Sequence, residues 1–470
     1  MSRLAQALAL SLGLLSRAAQ SQPQQSRIEG SWYGVAAAKP DSGFPVTVLL
    51  DVARVRDSLR IALTLPESRL IRLAIPSPYS DSTFAAYSDG RLHVEFTPDI
   101  GLGILSRLGV PRDDERIAFD GRLQGDNLVG EIRITRFRSP ITLRRGSAPH
   151  TYREIHVTFR NPYDSLTLGG KIILPSAGER FPAVVFVTGS DPDTRDAWLY
   201  EASALAQRGI ASLLYDKRGV GVSSGASHDL ASWDDLAGDV EGALALLQSR
   251  PDVIDTSRIG LIGQSQGTWI ITKVAARNPA VKFLVNISGS GISAAEQETY
   301  RTGALMKREG FSPEEIARAQ AFQRAKFAVA RTGLGWEALD STMKRLRADS
   351  VRWFPQYGTG AAVSRLASLR LFGVLQFNYD PARDLRRIRV PTLVLMGERD
   401  VVFPPAVVID RMRRYLGEAG NTRVTTRIIP FASHGMLEIQ TYQGLGFRGA
   451  ISPRFLSAFT DWVVSTAIGL

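Results

Sequence analysis

The 470-residue chain has no cysteine. That excludes disulfides, thiolate metal sites and a cysteine nucleophile. It leaves the compartment open, because an exported protein can do without disulfides. Histidine is scarce as well: only His93, His150, His156, His228 and His434 are present. No stretch offers 18 uninterrupted apolar residues, so no stable membrane span is expected. Basic charge is abundant but unclustered. The net charge is +11 and 49 of the 57 basic residues are arginine, yet they are scattered among carboxylates with no dense basic run. That is the pattern of a solvated basic surface, and no nucleic-acid partner is expected. The glycine-rich stretch from Gly219 to Gly225 lacks the Gly-Lys-Ser/Thr of a phosphate-binding loop and reads as a turn. No cofactor and no metal are implied.

What is present is a normal globular balance, 44% apolar and 22% charged, in a chain long enough for two or three domains. Arg3 precedes an apolar run of about 12 residues at 4–15. Ser16-Arg17-Ala18-Ala19 and a polar Gln-rich stretch follow. These are the three parts of a secretory signal, assigned to residues 1–19. Export to the periplasm or medium as a soluble protein is the expectation; the alternative is an N-terminal extension of a cytoplasmic enzyme.

Residues 28–146 alternate short β-type runs with turn signals. Seven runs are recognisable, at 30–35, 45–52, 59–64, 91–96, 115–123, 127–134 and 139–144. Ser42-Gly43, Asp89-Gly90 and Gly125-Asp126-Asn127 are hairpin-type turns. A small antiparallel all-β domain, a barrel or curled sheet, is expected. With Gly30-x-Trp32 near its start and a last strand ending in Arg, it resembles the lipocalin-like modules found ahead of some bacterial secreted hydrolases. No catalytic set is visible in it. Support or docking is its expected role.

Residues 152–470 form a second, larger unit after the linker Ser147-Ala148-Pro149. Two antiparallel strands are expected at 154–160 and 166–175. Strands and helices then alternate, with continuous apolar strands at 181–190, 210–216, 258–262, 281–288 and 390–397. That alternation predicts a parallel sheet covered on both faces. Gly263-Gln264-Ser265-Gln266-Gly267 sits between the strand at 258–262 and a helix stopped at Asn278-Pro279. Strand, G-x-S-x-G, helix is the context of a nucleophile elbow, with Ser265 at the tip beside the positive end of a helix.

A serine hydroxyl is a poor nucleophile and needs a base within hydrogen-bond reach. His93 lies in the β-domain, His150 at the linker, His156 in an early strand and His228 in a loop. His434, just past a late strand, is the best base. The base needs an acid to hold its tautomer. Asp400, past a buried strand and 34 residues before His434, is the candidate, with Glu398 as the fallback.

The unit from 152 to 470 resembles the α/β-hydrolases. Four motifs carry the resemblance. Thr188-Gly189-Ser190 stands where that family has its oxyanion loop, with Thr188 in place of the usual His. Asp216-Lys217-Arg218-Gly219-Val220-Gly221-Val222-Ser223 matches the D-x-R-G-x-G-x-S turn of the esterase-like and aminopeptidase-like branches. Gly263 to Gly267 matches the elbow. Asp400 and Ser433-His434-Gly435 match the acid and the late histidine. The order Ser265, Asp400, His434 is the family's order. The competing acid position reads Ser288-Gly289-Ser290, without a carboxylate.

The resemblance implies an oxyanion hole from the backbone N–H groups of Gln266 and Ser190. Asp216 and Arg218 are expected as a buried pair fixing the turn. It also implies a helical cap over residues 291–387, where Ser312-Pro313-Glu314-Glu315 opens a helix and aromatic residues cluster.

The expected function is a serine hydrolase cleaving a carboxylic ester or thioester through an acyl-enzyme, on a small-molecule substrate. An aminopeptidase-like peptidase acting on a short peptide is the alternative; it would use cap carboxylates from Glu296, Glu298, Glu314 or Glu315. A non-catalytic binding protein using the β-domain is the second alternative. Nothing in the sequence indicates an oligomeric state.

Overall fold

The structure, a computed structural model, describes residues 28–36, 46–56, 58–75, 83–96, 116–135, 137–149, 151–358, 379–442 and 445–469. The expected signal segment and the Ser42-Gly43 turn lie outside these residues, as do Phe372 and Phe377 of the expected cap. The described residues fall into two compact units divided after Pro149, with Gln440–Arg448 belonging to the first.

The first unit is an antiparallel sheet of nine strands. They are β1 (Gly30–Ala36), β2 (Val46–Val55), β3 (Ser58–Leu65), β4 (Leu70–Ile75), β5 (Thr83–Ser88), β6 (Arg91–Phe96), β7 (Ile117–Gln124), β8 (Asn127–Ile134) and β9 (Phe137–Arg145). Their order is β4-β3-β2-β1-β9-β8-β7-β6-β5, and the two edge strands β4 and β5 approach each other. The sheet is therefore curled into a near-barrel. Along β9 and the first seven residues of β2 every second residue is buried, which puts one apolar face inward around Trp32, Leu50, Phe137 and Leu143. Asp89 and Gly90, with φ of 50° and 75°, close the β5–β6 hairpin as the sequence predicts. Arg145 stacks over Trp32 at 4.2 Å from the ring centroid. β4 and β5 were not among the seven expected runs. β4 is apolar at nearly every position, and β5 is rich in Ala and Ser, which are weak strand formers.

From residue 152 onward, through the second unit and the segment 440–448 grouped with the first, strands and helices alternate: β10 (Tyr152–Arg160), β11 (Thr167–Pro175), β12 (Phe181–Val187), α1 (Leu199–Ala206), β13 (Ala211–Tyr215), α2 (Trp233–Gln248), β14 (Ile254–Gln264), α3 (Gln266–Ala275), β15 (Val281–Ile287), α4 (Ala294–Arg308), α5 (Pro313–Thr332), α6 (Trp336–Ala348), α7 (Phe354–Tyr357), α8 (Ala382–Leu385), β16 (Thr392–Gly397), α9 (Pro405–Glu418), β17 (Val424–Ile429), β18 (Leu437–Tyr442), β19 (Leu445–Ile451) and α10 (Pro453–Ile468). The eight-stranded sheet runs β10-β11-β13-β12-β14-β15-β16-β17. The first two neighbour pairs are antiparallel and the rest parallel. β13 and β16 are buried at every position, which is why they read as unbroken apolar runs. β18 and β19 form a separate hairpin, which has no counterpart among the expected strands.

Helices α4 to α7 occupy the interval between β15 and β16 in the chain. They hold a small core of their own around Met306, Phe322, Leu339, Met343, Trp353 and Phe354. Ser312 and Glu315 make the reciprocal capping box of α5, with Pro313 in its first turn, as the sequence predicts. Tyr379 packs elsewhere, edge-on against Trp233 of α2.

Candidate active site

The parallel pairing of β12 with β14 sets Val187 opposite Gly263. The loop after β12 therefore emerges beside the turn that ends β14. At that turn Ser265 has φ 53° and ψ −119°, a region that costs a non-glycine residue about 1–3 kcal/mol. The surroundings enforce it. A Cβ on Gly267 would sit 2.1 Å from the carbonyl oxygen of Val187, so only glycine lets α3 start this close to β12. Ser265 is followed directly by α3, and its side chain makes no cap bond to that helix. The hydroxyl makes no hydrogen bond among the described residues and stands at the positive helix end.

Past β16, Asp400 turns its carboxylate inward with its side chain wholly buried. Oδ1 accepts the backbone N–H groups of Val402 and Phe403 at 2.8 and 2.9 Å. Oδ2 lies 2.9 Å from Nδ1 of His434. The loops carrying these two residues are pressed together: a Cβ on Gly397 would meet the Ser433 carbonyl at 2.3 Å. Phe403 stacks its ring on the His434 imidazole, 5.8 Å between centroids and 6° between planes. The imidazole is therefore held from one edge and one face. Its Nε2 faces the side-chain amide of Gln264 at 3.4 Å. Ser265 Oγ and His434 Nε2 make no hydrogen bond among the described residues; such contacts commonly close only around substrate.

The fallback acid, Glu398, accepts the Phe431 N–H instead. At the end of β15, Ser288 and Ser290 both have positive φ (51° and 68°), and the Ser288 hydroxyl is buried without a partner among the described residues. Position 264 was not singled out from the sequence. It is the variable residue of G-x-S-x-G, and nothing in the pattern marks it.

Gly189 lies against the elbow: a Cβ there would be 3.3 Å from the Ser265 Cβ. Neither Ser190 N–H nor Gln266 N–H has a described backbone acceptor outside the helix ladder. The Thr188 hydroxyl is buried and unpartnered among the described residues.

The turn after β13 differs from expectation in one respect. Asp216 and Arg218 do not pair with each other. Asp216 is gripped by Arg195, through its backbone N–H at 2.7 Å and its guanidinium at 2.6 Å, and by the Val222 N–H. Arg218 instead binds Asp239 of α2 with two bonds of 2.7 and 2.8 Å. Burial works to raise the Asp216 carboxyl, but Arg195 and the backbone N–H groups hold it below its usual value. Lys217 and His228, between and beside them, are buried. His228 donates through Nε2 to the Ser190 carbonyl at 2.9 Å. Burial, and then the charge of Lys217, lower its pKa.

Among the described residues no group of three or more His, Asp or Glu could hold a metal ion, and no helix is long and apolar enough to cross a membrane.

Residues 184–440, more than half of the chain, match the model of a family described as the alpha/beta hydrolase family. A non-heme haloperoxidase of Rhodococcus erythropolis is 25% identical over 253 residues, covering 53% of this chain and 84% of that protein. The esterase EstD of Thermotoga maritima is 26% identical over 195 residues, 36% of this chain and 44% of its own length. Among solved structures, a Pyrococcus furiosus esterase aligns with a TM-score of 0.41 at 15% identity, over 69% of this chain and 93% of that one.

Proposed function

The chain belongs to the alpha/beta hydrolase family, and we propose that it is a serine hydrolase that cleaves a carboxylic ester or thioester through an acyl-enzyme. The observation that carries the reading is the conjunction at three strand ends: Ser265 strained at the elbow and His434 tied to Asp400 at 2.9 Å. With Asp400 accepting from Nδ1–H, Nε2 of His434 is the basic nitrogen. It takes the proton of Ser265 as Oγ attacks the carbonyl carbon. The oxyanion that forms accepts from the N–H groups of Gln266 and Ser190. His434 then returns the proton to the leaving oxygen or sulfur, the carbon–heteroatom bond breaks, and water repeats the sequence on the acyl-Ser265.

An ester or thioester fits better than a free-amine peptide. Holding an α-ammonium needs an uncommitted carboxylate in the cap. Glu296 is engaged by Ser293 N–H and by Arg411. Glu315 is engaged by the Ser312 N–H and Glu298 by Arg301, and Glu314 is exposed. A groove of about 870 Å³ between α4 and α5 is lined by Glu296, Tyr300, Arg324, Phe327, Arg331 and Asp380. The Tyr300 hydroxyl reaches the Asp400 carbonyl at 3.2 Å, which links that groove to the acid's loop.

The test is turnover of a p-nitrophenyl ester series against aminoacyl p-nitroanilides, by the full chain and by Ser265→Ala. Ester turnover abolished in the variant is expected. Turnover unchanged in Ser265→Ala, or anilides preferred over every ester, would overturn the reading. If wild type turns over neither series, the non-catalytic alternative gains.

A further inference from the structure

We propose that Lys217 is a positioning residue for the oxyanion hole, aiming the Ser190 N–H by holding the Gly189 carbonyl on the far side of the same peptide. This rests on the serine-hydrolase reading above.

The peptide between Gly189 and Ser190 is one rigid plane. In the trans form its C=O and N–H point in opposite directions. Lys217 Nζ donates to the Gly189 carbonyl oxygen and, at 3.2 Å, to that of Asp191. The carbonyl between them, on Ser190, takes the His228 Nε2–H bond. The Lys217 backbone N–H adds a bond of 3.3 Å to the Asp193 carbonyl. Three consecutive carbonyls of the loop after β12 are thus tied by buried side chains of the turn after β13. The N–H of Ser190 is left with no described backbone acceptor, next to a glycine whose added Cβ would stand 3.3 Å from that of Ser265.

The cation is also unusual in what solvates it. Lys217 is 6% exposed, and no carboxylate lies within ion-pair distance of its ammonium among the described residues. Asp193, Asp191 and Asp229 act on it only from a distance, and burial pushes it down to about 8. A desolvated ammonium is costly to keep. One whose partners are peptide carbonyls does something a neutral residue cannot. It polarises the peptide, which makes the opposite N–H a stronger donor. It also puts positive potential behind the point where negative charge develops.

Removing an oxyanion donor outright costs about 10²–10³ in kcat. A donor left in place but unaimed loses less, so Lys217→Met should lose about 10- to 100-fold in kcat. KM should stay within about threefold. Affinity for a boronic-acid or trifluoromethyl-ketone inhibitor, which places an oxyanion in the hole, should fall by the same factor as kcat/KM. Lys217→Arg, which keeps the charge, should recover part of both. If Lys217→Met does not fold, Lys217→Gln carries the same expectation. A merely structural lysine would lower the melting temperature without this parallel. A folded variant with wild-type kcat and inhibitor affinity overturns the proposal. The fluorophosphonate reactivity of wild type separates the two levels. If wild type is labelled at Ser265 and Lys217→Met is unimpaired, only the positioning role fails. If wild type is not labelled, the hydrolase reading fails with it.

Discussion

Asp400→Asn is the most informative conservative substitution in this site, because the structure dictates which way the new amide must face. In the native arrangement Oδ1 accepts two backbone N–H groups, from Val402 and Phe403. Only an acceptor satisfies them, so the amide oxygen takes the Oδ1 place. The NH₂ is then forced into the Oδ2 position, 2.9 Å from His434 Nδ1. A donor there requires Nδ1 to be an acceptor, which moves the ring proton to Nε2 and leaves no lone pair to receive the serine proton. The variant also loses the buried negative charge that stabilises the imidazolium. We expect kcat/KM to fall about 10³–10⁴-fold, or about 4–5.5 kcal/mol of transition-state stabilisation. Both backbone bonds and the side-chain shape survive, so the unfolding free energy should change by about 1 kcal/mol or less. Steady-state ester kinetics give the first number and denaturant titration the second. Nitrogen NMR of His434 should report the proton on Nδ1 in wild type and on Nε2 in the variant. Activity within tenfold of wild type, with the tautomer unchanged, would refute the assignment of Asp400 as the orienting acid.

Other consequences follow from the packing. Gly267→Ala would drive a Cβ to 2.1 Å from the Val187 carbonyl and 2.7 Å from that of Thr188. Backbone at a central strand end yields little, so a loss of roughly 2 kcal/mol or more is expected in guanidinium unfolding, together with lost activity; a variant as stable as wild type would show that α3 is not so closely seated. His228 is held below its ordinary value of 6.5 by burial and by Lys217. A lowered value in the fold means the neutral form is favoured, so its contribution is complete above about pH 6.5 and is lost as pH falls. His228→Gln should flatten the decline in melting temperature between pH 6.5 and 5; an unaltered slope would count against it.

The elbow was legible because two signals coincide there: glycines at fixed spacing around Ser265, and a switch from apolar run to helix. His434 was legible through scarcity, with four other histidines accounted for by position. The pairing of Asp400 with His434 depends on two loops meeting through Gly397, a contact that sequence spacing only suggests. Gln264 left no trace, since its role comes from a turn that points it at a residue 170 positions away. The partners of Asp216 and Arg218 were misjudged for a related reason. Arg195 and Asp239 reach the turn from a loop and a helix face that only the folded chain brings near. In the first unit the seven β-type runs correspond to β1–β3 and β6–β9, whereas β4 and β5 do not stand out as runs of that kind.

The proposed hydrolysis depends most directly on Ser265 as the nucleophile. Treatment of the folded chain with a fluorophosphonate, followed by intact-mass and peptide mass spectrometry, measures this at the atom concerned. One adduct per chain on Ser265, absent from Ser265→Ala and sharply slowed in His434→Ala, is the predicted result. No adduct on wild type, or an adduct that persists in Ser265→Ala, would contradict the account.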